Sequence, residues 1–298
     1  LRIEGKDKPV TSDIILVIDT SGSMSGSKLT AAKSAANSFI DTLLKPGNTT
    51  TNIGLVSFET TVTLESGLTN DAASLKTKVN ALTAGGGTFT QAGVKQAEAM
   101  LANSTADHKH IVLLSDGEPT YSYQIPNNAT RQAGYYLEGS RYYTGKSYYS
   151  AGDYGTSRVG NGYEMTYYIE RYNDRRAYYH HGNSAIAEAG FAKNDGYRVW
   201  TIALEVEQSG QDVLQQMASP DSYFTATQAD LNNIFSQIAG EIGAAVKDAQ
   251  VTDPMGTGFQ VYGNISEIWV SQGTAVYDDG SKTITWDPGT LTTPLSDD

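Results

Sequence analysis

Apolar positions along this chain follow two periods. Continuous runs such as Ile14-Ile15-Leu16-Val17-Ile18 predict strands covered on both faces. By that criterion strands fall at Ile14–Asp19, Ile53–Phe58, Ile111–Ser115, Arg198–Leu204 and Tyr223–Thr225. Between them the helical period predicts Lys28–Leu44, Ala72–Leu82, Gln91–Leu101, Ser184–Ala192, Val213–Ala218 and Leu231–Val246. In the first helix Leu29, Ala32, Ala36, Phe39, Ile40 and Leu43 share a face, and Pro46-Gly47 stops it. In the last, Leu231, Ile234, Phe235, Ile238 and Ile242 do the same. Asp71 and Asp230 are placed to cap helix starts. Val62–Leu64 follows Phe58 too closely for a crossover helix, so it reads as an antiparallel edge strand. The alternation of strand and helix predicts an α/β fold with a doubly wound, mostly parallel, Rossmann-like sheet. Ligands of such sheets lie beyond the carboxyl ends of the strands, where the strand order reverses.

The pattern breaks between Gly117 and Gly182. This stretch holds 15 of the 19 tyrosines, and the segment 119–181 carries a charge of +2 in a chain of −12. About sixty residues without a clear core are too many for an ordinary connection, which marks a functional insertion. Tyr and Arg are the residue types that dominate binding hot spots. Tyr142, Tyr143, Tyr148, Tyr149 and Arg141, among Gly and Ser, are the candidate ligand-binding residues, with Glu118 at the stem. Tyr121, Tyr123, Tyr178 and Tyr179 lie nearest the stem and are expected to be buried. The other role open to the tyrosines is a satellite core for the insertion itself.

After Asp248 the helical period disappears. Val251, Phe259–Tyr262, Ile265–Val270, Ala275–Tyr277 and Thr283–Trp286 read as short strands, with turns at Gly263-Asn264 and Asp279-Gly280. The domain reading is therefore 11–246 for the α/β domain, with the Tyr-rich arm at about 119–181. Residues 247–298 form a β-rich stalk module, a partial β-sandwich for which residues 1–10 are a candidate completion.

Composition narrows the function. A net charge of −12 argues against nucleic acid as partner. No run of about twenty apolar residues exists, so no membrane insertion is expected. Neither end carries a secretory or sorting signal, and the chain reads as an interior segment of a longer protein. Cysteine is absent, which removes disulfides, thiolate metal sites and cysteine catalysis. An acidic, cysteine-free chain fits a Gram-positive cell surface better than an animal extracellular protein, with a cytosolic origin also open. The histidine pairs His108/His110 and His180/His181 read as local surface residues.

The chemistry concentrates at strand exits. Asp19-Thr20-Ser21-Gly22-Ser23 follows the first strand, Gly85-Gly86-Gly87-Thr88 forms a flexible loop, and Ser115-Asp116-Gly117 ends another strand. Carboxylate and hydroxyl ligands on Gly-containing loops suit a hard divalent cation. Rival motifs fail on spacing. Gly22 to Lys28 misses the phosphate-cradling loop by one residue, Gly85-Gly86-Gly87 lacks the third glycine of a dinucleotide loop, and no G-x-S-x-G elbow is present.

These three segments resemble the metal-ion-dependent adhesion site of von Willebrand factor type A domains, D-x-S-x-S followed by a distant Thr and a distant Asp. Here the pattern falls on Asp19, Ser21, Ser23, Thr88 and Asp116. The resemblance implies Mg²⁺ at the site, with Mn²⁺ or Ca²⁺ as alternatives. It implies direct ligation by Ser21 and Ser23, and by Thr88 either directly or through water. Asp19 and Asp116 would act through waters or through the serine hydroxyls. The remaining position would accept a carboxylate from a partner, with no bond broken. Val251-Thr252-Asp253-Pro254-Met255-Gly256 resembles segments flanking such domains in Gram-positive pilus-tip adhesins, whose neighbouring domains carry Lys–Asn isopeptide bonds. Lys6, Lys8 and Lys247 are the candidate lysines.

The function expected on this basis is a non-enzymatic adhesin head at the bacterial surface. Its partners would be a host matrix protein or glycan and, through the β module, other pilins. The competing reading is an interaction module of an intracellular metal-dependent or chelatase-type assembly. In this family the last helix can shift when the metal takes a ligand, and here that helix, Leu231–Val246, leads into the β module.

Overall fold

Eight residues of uninterrupted burial, Ser12–Asp19, make the central strand of the fold. A computed structural model describes residues 10–243, 251–254 and 274–287 of the chain. In chain order the first elements are β1 (Ser12–Asp19), α1 (Ser27–Leu43), β2 (Thr51–Phe58), β3 (Val62–Thr69), α2 (Ala72–Ala81), α3 (Thr90–Leu101) and β4 (His108–Ser115). The arm follows with β5 (Tyr121–Tyr123), α4 (Asn128–Ala133), β6 (Tyr135–Glu138), β7 (Arg141–Thr144), β8 (Arg158–Gly160), β9 (Thr166–Tyr172) and β10 (Arg175–His180). The chain then runs through α5 (His181–Asn194), β11 (Arg198–Leu204), α6 (Gln208–Met217), β12 (Tyr223–Ala226) and α7 (Leu231–Ile242). The last described strands are β13 (Val251–Pro254), β14 (Thr274–Asp278) and β15 (Thr283–Asp287).

The main sheet has the order β12-β11-β4-β1-β2-β3. All its pairs are parallel except β2 with β3, which is antiparallel, as the short connection after Phe58 requires. The strand order reverses between β1 and β4, so the carboxyl ends of these two strands flank the switch point. Helices cover both faces, and the continuous apolar runs of β1 and β4 are buried accordingly. The described residues fall into two compact units, one spanning Val10–Ser236 and the other holding the C-terminal strands. In the latter, β13-β15-β14 form an antiparallel sheet. The expected strands Phe259–Tyr262 and Ile265–Val270 lie outside the described residues, as do Lys6, Lys8, Lys247 and the final residues of the Leu231–Val246 helix. No helix among the described residues is long and apolar enough to cross a membrane.

Asp71 caps α2, its carboxylate accepting from Ser74 N at 3.0 Å. Asp230 behaves differently. Its carbonyl receives Ile234 N at 3.0 Å, but its carboxylate turns back to accept from Thr227 N and Oγ1 at 2.9 and 2.6 Å. Helix α5 starts three residues before the predicted Ser184, because His180 supplies the cap through Nδ1, which accepts from Asn183 N at 3.2 Å. The histidine pairs are not surface groups as a whole. His110 and His181 are buried, and burial holds both near a pKa of about 3, hence neutral. His110 Nδ1 accepts from Trp200 Nε1 at 3.3 Å, and His181 Nδ1 shares a 2.8 Å hydrogen bond with Ser122 Oγ.

The arm is a folded β module. β6-β7-β10-β9 make a four-stranded sheet, and β5 pairs with β8. The signals for it were aromatic strand formers beside hairpin turns: Gly139 at φ +57°, and Asn173-Asp174 at φ +45° and +61°. Its core contains Ile125, Tyr149, Tyr154 and Tyr179, closed by Ala187 and the half-buried Phe191 of α5. Tyr149, one of the candidate ligand-binding residues, is instead buried. Its hydroxyl donates to Arg131 O at 2.7 Å, and its ring packs edge-on against Tyr154. Arg131 is buried with it, donating to Ile125 O at 2.8 Å and standing 3.5 Å from Glu170 Oε1. Of the stem tyrosines only Tyr179 is fully buried; Tyr121, Tyr123 and Tyr178 are half-buried.

Helices α3 and α5 bring together two carboxyls, Glu98 and Glu188. Burial, and then repulsion from Glu188, pushes Glu98 up to about 9, and burial raises Glu188 as well. Gln91 Nε2 donates to Glu188 Oε2 at 2.9 Å, and Lys95 Nζ lies 3.9 Å from Oε1, partly offsetting the charge. The folded pair binds protons more tightly than the unfolded chain does. Its favourable contribution is therefore complete below the ordinary carboxyl value of 4.5 and is lost as pH rises toward about 9. Thermal melts should show stability falling across that window, and Glu98→Gln should flatten the slope and raise the melting temperature at alkaline pH. An unchanged slope in the variant would show that the pair does not titrate as described.

Candidate functional site

β1 ends at Asp19 and β4 at Ser115, so the next residues of both strands emerge side by side at the switch point. The Asp19 carboxylate is fully buried. Oδ1 accepts from Ser21 N at 2.7 Å and Oδ2 accepts from Ser115 Oγ at 2.5 Å. Burial pushes its pKa up to about 6, and these donors partly restrain the rise. Ser21 Oγ lies 3.0 Å from Ser23 Oγ, which donates at 2.8 Å to Asp116 Oδ1. Lys28 Nζ stands 2.6 Å from Asp116 Oδ2.

The third segment is held against the first by backbone. Gly85 N donates to Thr20 O at 2.9 Å and Gly22 N to Gly86 O at 3.0 Å. A Cβ at Gly22 would lie 3.3 Å from that same carbonyl, so the close approach favours glycine. Gly86, at φ +71°, needs glycine for a second reason, since Glu59 and Thr60 fill the space beside it. Thr120 clamps Thr88: Thr88 N donates to Thr120 Oγ1 at 2.8 Å and Thr120 N returns to Thr88 O at 2.8 Å. A side-chain carbon at Gly117 would lie 3.5 Å from Thr88 Oγ1 and 3.7 Å from Ser23 Oγ, so both hydroxyls converge beside Asp116.

All five residues of the predicted set thus meet in one place, with Ser23 exposed at the mouth and the other four buried. Among the described residues no three His, Cys, Asp or Glu side chains form a metal-holding cluster. The donor set here is two carboxylates and three hydroxyls, hard oxygen ligands that suit Mg²⁺, Mn²⁺ or Ca²⁺ rather than a soft ion. Two buried carboxylates facing a single ammonium also leave negative charge that a cation would offset.

The structure adds residues that the motif did not name. Ser115 sits beside Asp116 in sequence yet serves Asp19. Lys28 carried a signal only as the lysine of a misspaced phosphate loop, and Thr120 carried none. Glu59 is a further carboxylate at the Gly86 loop, in addition to Glu118, which bonds to Ser209 Oγ. The base of the arm forms one wall: Tyr121 and Gly162 lie against Gly87, and the Arg158 guanidinium sits 4.4 Å over the Tyr121 ring. Tyr142, Tyr143, Tyr148, Tyr149 and Arg141 belong to the arm and take no part in the oxygen cluster.

Residues 13–140 match the von Willebrand factor type A domain family. The minor fimbrium subunit Mfa5 of Porphyromonas gingivalis is 32% identical over 346 residues, an alignment spanning 98% of this chain and 28% of that protein. The crystal structure of the vWF domain of that type V pili tip protein superposes with a TM-score of 0.72 at 30% identity, over 78% of this chain and 95% of that one. The pilus adhesin SpaC from Lactobacillus rhamnosus GG, in its open conformation, gives 0.69 at 22% identity over 95% of this chain and 37% of that one, a likeness of fold. The chain spans less than a third of the curated relatives it matches, 28% in each case.

The clamp on Thr88 is directly testable. Thr120→Val leaves the buried Thr88 N–H without its acceptor, which should cost about 1–3 kcal/mol. Urea denaturation measures the loss, and amide exchange at Thr88 should accelerate with it. Wild-type stability and exchange in the variant would show that Thr120 does not hold this loop.

Proposed function

Since this chain belongs to the von Willebrand factor type A domain family, we propose that it is the adhesive head of a bacterial pilus-tip protein. In this reading it works outside the cell, on the bacterial surface. It binds a host matrix or cell-surface ligand, and it joins other pilins through its C-terminal β module. The observation that carries the reading is the meeting of Asp19, Ser21, Ser23, Thr88 and Asp116 at the switch point of the sheet.

Ser21, Ser23 and Thr88 would hold a divalent cation through neutral hydroxyls, with Asp19 and Asp116 behind them. When bound, such a cation supplies a Lewis-acid position that favours an external carboxylate, a Glu or Asp of the partner. The chain's own residues do the positioning. Asp116 orients the Ser23 hydroxyl by accepting its hydrogen bond, and Asp19 fixes the turn by accepting from Ser21 N. Ser115 and Lys28 stabilise the two carboxylates in the buried floor. Because both carboxylates are engaged in these roles, the proposed action is recognition rather than hydrolysis. The arm, rising from Thr120 beside Thr88, shapes which ligands reach the site.

Binding of the full chain to collagen, fibronectin and fibrinogen, with Mg²⁺ or with EDTA, tests this. Chelation and Asp19→Ala should each weaken the bound ligand at least about tenfold. Mg²⁺ at a hundred times its Kd should stabilise the wild type by about 2.7 kcal/mol and leave Asp19→Ala unaffected. Adhesion that survives both chelation and Asp19→Ala would overturn the cation-dependent reading.

A further inference from the structure

The arm carries a second feature, remote in chemistry from the oxygen cluster. A cleft of about 530 Å³ opens beside β6 and β7, lined by Tyr135, Tyr136, Lys146, Ser147, Tyr148 and Asn183. Ala133, Gly134 and Gly145 complete it, the glycines joined by a 3.1 Å backbone hydrogen bond. The volume is that of a small-molecule site, which typically spans about 300–1,000 Å³. Tyr148 is 58% exposed and Tyr136 is 37% exposed, large aromatic surface left in water. Tyr148 is braced edge-on by the buried Tyr149, at 5.6 Å between ring centroids.

Tyr136 also begins an aromatic ladder. It pairs with Tyr143 across β6 and β7, Tyr143 with Tyr178 across β7 and β10, and Tyr178 with Tyr168 across β10 and β9. One tyrosine per strand therefore lies on a single face, with successive centroids 5.9, 5.9 and 5.8 Å apart. Residues in register across strands share a face, so this row follows from the pairing itself.

The lining is amphipathic in a particular way. Aromatic rings offer electron-rich faces, and the polar groups between them are mostly hydroxyls and an amide. Asn183 Nδ2 is committed to Thr144 O at 2.8 Å and Tyr136 Oη at 3.3 Å, so its Oδ1 is what a guest can use. Lys146 adds a positive charge; its ammonium donates to Gln216 Oε1 and has two further N–H groups to offer. A pyranose matches this set: its C–H face stacks on aromatic rings, and its hydroxyls both donate and accept at the edge. A proline-rich peptide would satisfy the rings and offer carbonyl acceptors to Lys146 and Ser147, but it has few donors, leaving Asn183 Oδ1 desolvated at a cost.

We propose that this cleft is a saccharide-binding site that stacks a sugar ring between Tyr136 and Tyr148 and favours an acidic sugar through Lys146. Further along the ladder the Arg141 guanidinium lies 5.2 Å over the Tyr178 ring and Tyr168 stands edge-on to it, so the site is confined to the cleft between Tyr136 and Tyr148. The site acts without a metal, so it stands or falls separately from the cation-dependent reading.

The test is calorimetric titration of the full chain with 3′-sialyllactose, lactose and a Pro-Pro-Gly repeat peptide, with Mg²⁺ and with EDTA. Sialyllactose should bind equally in both buffers and more tightly than lactose. Tyr148→Ala should weaken it at least about tenfold. Lys146→Ala should remove the preference over lactose. Tyr148 is largely exposed, and circular dichroism of the variant checks that the arm stays folded. No saccharide binding by the wild type, binding unaffected by Tyr148→Ala, loss of sugar binding in EDTA, or binding of the peptide alone would each overturn the proposal.

Discussion

Two carboxylates, Asp19 and Asp116, are buried at the ends of neighbouring parallel strands, and the local structure is organised around keeping them there. Like charges in a poorly solvated place demand donors. The chain meets the demand with short contacts from three directions: Ser21 N and Ser115 Oγ to Asp19, and Ser23 Oγ and Lys28 Nζ to Asp116. The serines that satisfy the carboxylates are thereby fixed with their remaining lone pairs available. The Gly22–Gly86 approach and the Thr120 clamp bring Thr88 to the same point. Fold and site are one arrangement here, because the reversal of strand order between β1 and β4 opens the crevice that the hydroxyls line.

Much of this could be read from the sequence. Runs such as Ile14–Ile18 allow little besides a doubly covered strand, and the antiparallel edge strand followed from the length of one connection. Its extent, to Thr69, did not, because Glu65, Ser66 and Gly67 lack apolar character. The five oxygen-bearing residues were legible because four sit in motifs at strand exits and Thr88 follows a run of three glycines. Ser115, Lys28, Thr120 and Glu59 were not, since their partners are set by tertiary approach across many residues. Asp230 shows the same limit in miniature. Its position predicts a cap, but Thr227 competes for the carboxylate and wins.

The arm was the least legible part. Tyrosine is both a strand former and a contact residue, and composition alone does not separate the two. Tyr149 and Tyr179 build the interior, whereas Tyr136, Tyr148 and Tyr168 remain partly in water. What distinguishes them is pairing register and the position of α5, which contributes Ala187 and Phe191 to the arm's core. That shared helix also carries Glu188 toward α3, so the inserted module and the parent sheet draw on the same element from opposite sides.

The two ends of the insertion meet. Ser122, just inside its entrance, shares a hydrogen bond with His181 at its exit, and β10 passes into α5 without a linker. A segment stapled at its root adds little loop-closure cost to the domain beneath, whatever its length. It can therefore be enlarged, trimmed or exchanged as a cassette while the parallel strands keep their connections. Diversity can accumulate in the outer strands of the cassette while Thr120, Tyr121 and Gly162 at its base keep their place beside the oxygen-lined crevice.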